Sequence, residues 1–160
     1  MRMSLLWARV LVFGTSASVL VLEILAGRLM APYVGVTLET FTGIIGVVLG
    51  GIAAGAWLGG WAADQVDAVT AASERTQRRL LGPVLVASGV LVLAAPTIVD
   101  ALGPSMRAAG PAEIVVLTAS AFFLPALLLS TVTPIVVKLR LRSLEETGSV
   151  VGSFSAIGTI

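Results

Sequence analysis

Thr40–Ala63 reads TFTGIIGVVLGGIAAGAWLGGWAA, 24 residues without a charge. As a helix it extends about 36 Å, enough to cross a hydrocarbon core of about 30 Å. It lacks the alternation of a half-buried strand, and its glycines lie too regularly for a loop. The stretch reads as a membrane-spanning helix, and the rest of the chain repeats the pattern. Uncharged blocks run from Leu80 to Val99 and from Ile114 to Val137. An earlier block from Trp7 to Leu29 has Arg9 at its start and Glu23 and Arg28 towards its end.

Composition agrees. Of the 160 residues, 57% are hydrophobic and 12% charged, about half the charged share of a soluble domain. The expected fold is all-α: a polytopic membrane bundle of spans 7–29, 40–63, 80–99 and 114–137, with a fifth beginning at 147–160. The last stretch is short for a crossing, so the chain reads as the N-terminal part of something longer. A secretory leader is the alternative for the first block, with Arg2 and Arg9 as its basic region and Ala26 as a cleavage position. Apolar character resumes after Glu23, and no small residue precedes Ala26 at the right offset, which favours a span.

No cysteine or histidine is present. That removes disulfide frameworks, thiol nucleophiles, His-based dyads and the usual zinc ligands. A net charge of +1 with scattered bases gives no nucleic-acid footprint. No catalytic residue, metal site or cofactor is expected in this chain. The bases set an orientation instead. Arg2, Arg9, Arg75, Arg78, Arg79, Lys138, Arg140 and Arg142 fall on one side of the spans, Arg28 and Arg107 on the other. By the positive-inside rule the N-terminus is cytoplasmic, in the inner membrane of the cell.

Four groups of residues invite a role. Glu23 is an acid in an apolar stretch, where burial costs free energy unless a partner, water or a ligand meets it. Arg28 lies five residues on, about 140° around a continuous helix, so the two do not share a face. A helix end at Gly27 would let Arg28 fold back. Glu39 opens the second span, where it complements the helix dipole; converging with Glu23, it would make an acidic site for an organic cation. Gly51, Gly55 and Gly59 share a helical face and permit close helix packing, which makes the second span the expected central helix. Pro125 and Pro134, beside Ser130, Thr131 and Thr133, predict a kink in the fourth span, with freed carbonyls served by hydroxyls or a neighbour.

Gly60-Trp61-Ala62-Ala63-Asp64 resembles the start of the loop motif between the second and third helices of major facilitator transporters, though Gln65 stands where a base is usual. Two longer segments carry a more specific likeness. VLEILAGRLMAPYVG (21–35) and LPALLLSTVTPIVVKLRLRSLEETGSVVGSFSAIGTI (124–160) resemble bacterial membrane-bound spermidine synthase-like proteins, in which a major-facilitator-like region is fused to an aminopropyltransferase. The resemblance implies further helices and a soluble Rossmann-like domain that binds decarboxylated S-adenosylmethionine and putrescine. That domain is absent from this sequence, so the chain by itself is expected to lack aminopropyltransferase activity. Its expected role is to anchor such an enzyme in the lipid bilayer and to handle a polyamine or related cation near Glu23. The alternatives are a small-cation transporter half without an enzyme and a purely structural assembly module.

Overall fold

The computed structural model describes residues 5–65, 71–106 and 110–140, together with 152, 155 and 156. Among the described residues every long element is helical: α1 (Leu5–Val34), α2 (Leu38–Gln65), α3 (Ala71–Leu102), α4 (Pro111–Thr118) and α5 (Leu124–Arg140). A 3₁₀ turn, Gly103–Met106, closes α3, and a π turn, Ala119–Phe123, joins α4 to α5. Among the described residues four segments of 28 or 29 residues are long and apolar enough to cross a membrane: Leu6–Val34, Leu38–Gln65, Arg79–Met106 and Pro111–Lys138. The all-α membrane bundle expected from the sequence is what forms. Of the fifth segment, 147–160, only Gly152, Ser155 and Ala156 are described, and they are helical; the remainder lies outside the described residues.

The spans run alternately up and down. Gly27 of α1 lies against Phe41 of α2, and Gly51, Gly55 and Gly59 of α2 meet Phe123, Leu127 and Thr131 in turn. α2 and α5 are therefore parallel, as are α1 and α3. One end of the bundle carries Arg9, Asp64, Arg79 and Lys138 and is called the basic end; the other carries both short connections and is called the turn end.

The turn end is built from local chemistry. α1 closes at Gly35, whose φ of +77° is the left-handed conformation that glycine adopts without penalty. The Gly35 N–H donates to the Ala31 carbonyl at 3.0 Å. Thr37 then caps α2: its hydroxyl oxygen accepts the Thr40 N–H at 3.1 Å, satisfying one of the first-turn donors that have no partner within the helix. Glu39 follows in the first turn, where its charge complements the helix dipole.

The core has two layers. Towards the turn end, Leu22, Ala26 and Met30 of α1 pack with Ile44, Val48, Val99, Leu117 and Phe122. Towards the basic end, Ala8 and Val12 pack with Ala63, Leu81, Val132 and Val136. The centre differs from the expectation. Half of the most apolar window in the fourth span is buried, against 22% for the second, so α4–α5 forms the middle and α2 lies against it. Small residues on α2 mark a close approach to one neighbour, which is a different property from being surrounded.

Candidate functional site

Among the described residues the glycine stripe brings two helix backbones into direct contact. A Cβ at Gly51 would stand 2.9 Å from the Phe123 carbonyl oxygen, and one at Gly59 would stand 2.6 Å from that of Thr131. At Gly55 the obstacle is the Leu127 carbonyl. Three successive turns of α2 thus rest on the backbone of α5, which a side chain would prevent. Such proximity brings dispersion contacts and Cα–H···O interactions into reach, the forces left for helix association where apolar burial no longer drives it. Gly46 and Gly60 differ: an added Cβ would meet nothing within 4 Å.

Pro125 is fully buried, and the break expected there takes the form of the π turn directly before it. Proline offers no N–H to the carbonyl four residues back, and its ring crowds that carbonyl; widening the preceding turn relieves both. Pro134 lies inside α5 without ending it, and its ring faces Gly59. Thr131 and Ser120 place their hydroxyls on carbonyls of their own span. Thr131 Oγ1 donates to Leu128 O at 2.7 Å, and Ser120 Oγ donates to Val116 O at 2.8 Å.

Asp64 forms an ion pair with Lys138 of α5, joining α2 and α5 at the basic end. The Asp64 side chain is 77% exposed and that of Lys138 27%, so the pair adds at most about 1 kcal/mol. A Cβ added at Gly60 would meet nothing within 4 Å, and positions 66–70, where a loop motif would continue, lie outside the described residues.

The acids of the proposed cation site do not converge. α1 continues through Gly27 and Pro32 to Val34, so Gly27 does not end the helix and Arg28 stays exposed on its surface. Because α1 also runs five residues past Leu29, Glu23 lies only about 5 Å from the helix midpoint. It is half-buried, and among the described residues no ion pair reaches it. The Gly27–Phe41 contact fixes the register of α1 on α2 and puts Glu23 and Glu39 about 9 Å apart along the bundle axis. Glu39 lines a separate groove of about 700 Å³ between α2 and α4, with Gly43, Gly46, Gly50, Val115 and Phe123.

Two features at the turn end went unnoticed in the sequence. The Tyr33 hydroxyl donates to Asp100 Oδ1 at 3.0 Å, linking the ends of α1 and α3. The Tyr33 ring also lies over Gly103, where a Cβ would stand 2.5 Å from Cγ. The lone acid at the end of an apolar block was the available signal for Asp100, but nothing in the sequence pairs it with a tyrosine 67 positions earlier. Below this contact α1 and α3 separate around an apolar groove of about 650 Å³, lined by Gly14, Ser18, Val21, Ser88, Gly89 and Leu93 among others. Its hydroxyls are satisfied within their own helices: Ser18 donates to Gly14 O at 2.7 Å and Ser88 to Leu85 O at 2.9 Å.

Among the described residues no three acidic side chains gather where they could hold a metal ion. Comparison of the chain with protein-family models, curated proteins and solved structures gave no match.

Proposed function

We propose that this chain is the membrane-anchoring domain of a spermidine synthase-like protein, inserted in the inner membrane with its N-terminus cytoplasmic. The observation that carries the anchoring role is the bundle itself: four spans, a backbone-to-backbone seam between α2 and α5, and buried side chains that are almost all apolar. Orientation rests on the eight-to-two division of basic residues. The enzymatic partner rests on the likeness of segments 21–35 and 124–160 to that family. In this reading the domain contributes no reacting group and holds an aminopropyltransferase at the cytoplasmic face. The test is to fractionate cells that express the native locus and assay transfer from decarboxylated S-adenosylmethionine to putrescine. Activity should sediment with the membranes and leave them only in detergent. Membranes that hold the chain but transfer nothing to putrescine contradict the enzymatic half of the proposal.

A second reading is favoured by Glu23. A half-buried carboxylate near the middle of a span, with no described ion-pair partner, suits a cation that crosses or pauses there. This reading assigns the role to Glu23 alone. Under it, proteoliposomes take up labelled spermidine and Glu23→Gln lowers the uptake at least tenfold. Equal uptake by both proteins removes the carboxylate from any such role.

A further inference from the structure

The groove between α1 and α3 has two walls and a floor. Both helices pack on α5, and Leu129 of α5 lines the groove between them. The walls are aliphatic: Val10, Val21 and Leu25 on one side and Leu93 on the other are exposed. Thr15, Ser18 and Ser88 donate their hydroxyls to carbonyls of their own helices, so an occupant meets hydrocarbon. At about 650 Å³ the groove lies within the range of about 300–1,000 Å³ of small-molecule sites.

Its depth matches one leaflet. Val10 lies about 14 Å from the midpoint of α1 towards the basic end, close to where a hydrocarbon core about 30 Å thick meets the headgroups. From Val10 to Leu25 the groove runs about 22 Å along α1. Beyond the mouth at Val10 the chemistry changes. Trp7 is exposed and shares a helical face with Gly14 and Val21, at seven-residue spacing. Positions 78, 85 and 92 repeat that spacing on α3; Leu85 and Val92 line the groove, and position 78 is an arginine. Arg79 is exposed, and among the described residues no ion pair reaches it. Positions 78 and 79 stand about 9–11 Å beyond Leu85 along α3, at headgroup depth. The stretch 74–79 holds three bases and one acid. An apolar channel thus opens at an end that carries a tryptophan and an excess of positive charge.

We propose that the groove binds an anionic phospholipid of the leaflet at the basic end. One acyl chain lies between α1 and α3 on Leu129, Trp7 sits at the headgroup boundary that indoles favour, and Arg78 and Arg79 attract the phosphate. A neutral lipid would fill the hydrocarbon part equally well, so the arginines supply the selectivity. The site requires only that the spans lie in a bilayer and is independent of any attached enzyme.

The other two tryptophans provide an internal reference. Trp57 and Trp61 follow Gly55 and Gly59 by two residues, about 200° around the helix, so they point away from the seam with α5. The measurement is quenching of Trp7 fluorescence in Trp57→Phe/Trp61→Phe, reconstituted in nanodiscs with rising fractions of acyl-brominated phosphatidylglycerol or phosphatidylcholine. Phosphatidylglycerol should quench Trp7 with an apparent affinity at least about fivefold higher, the scale one arginine supplies at an anionic surface. Arg78→Gln/Arg79→Gln should abolish the difference. Gly14→Leu, whose side chain enters open space in the groove, should abolish it with both arginines in place. Trp57 alone, in Trp7→Phe/Trp61→Phe, should show no preference. Equal quenching of Trp7 by the two lipids overturns the proposal, as does quenching by neither, the result if a further helix or a second copy covers the groove. An equal preference at Trp57, or one that survives Gly14→Leu, overturns it too, because either marks diffuse surface charge and no bound lipid.

Discussion

Glu23 shows how far a single residue's meaning depends on the helix that carries it. The apolar block 7–29 puts it about 7.5 Å from the block's centre, and a helix that ends at Val34 brings it to about 5 Å from the midpoint of α1. There the cost of a charge is greatest, about 2.5–3.5 kcal/mol for an acidic residue on insertion scales. Glu23→Leu should accordingly stabilise the bundle against thermal unfolding in detergent if the carboxylate has no structural partner, and a lowered midpoint would show that it has one. Thr37 is the counterpart at the turn end. Its oxygen caps α2, so Thr37→Ala should cost about 1 kcal/mol while Thr37→Asp stays near neutral in the same unfolding assay. The cap lies three residues ahead of Thr40, where the uncharged run begins, so the run itself does not mark it. The Tyr33–Asp100 bond was not legible either, because long-range side-chain pairs leave no periodic trace in a single sequence.

At the scale of elements, the glycines of α2 divide into two kinds that composition cannot separate. Gly51, Gly55 and Gly59 rest on carbonyls of the π turn and α5, whereas Gly46 and Gly60 face open space. Four-residue spacing singles out the first three. Which neighbour they face was settled only by packing. Because the obstacle at Gly55 is backbone and not a movable side chain, Gly55→Ala should cost about 1–3 kcal/mol through forced separation of α2 and α5. Gly60→Ala should be neutral or slightly stabilising through its better helix propensity. Paired unfolding midpoints of the two variants check both statements, and equal midpoints would contradict them. Gly103→Ala should likewise destabilise, since its Cβ meets the Tyr33 ring. The π turn ahead of Pro125 was legible as a break but not as a type: proline states that the regular hydrogen-bond pattern fails, while the packing around the buried Phe122 decides how it is repaired.

The whole molecule is where the sequence spoke most clearly. Four apolar blocks became four spans in the expected order, because in hydrocarbon a backbone must satisfy its own polar groups and a helix does so within one segment. What the pattern could not supply was the arrangement. Apart from isolated charges such as Glu23, the spans are apolar all round, so no polar face says which helix is central, and the fourth, with two prolines, took the place expected for the glycine-rich second. The two acids nominated for one cation site are held apart for the same reason: sequence places them both near one end, and helix register separates them. The central proposal is that the four described spans cross the membrane with the basic end in the cytoplasm. Single cysteines in this cysteine-free chain test it most directly, using a membrane-impermeant maleimide on intact cells. Ser105→Cys, at the turn end, should label from outside, and Gln65→Cys, at the basic end, should label only after permeabilisation. Labelling of both from outside, or the reverse pattern, would contradict the account.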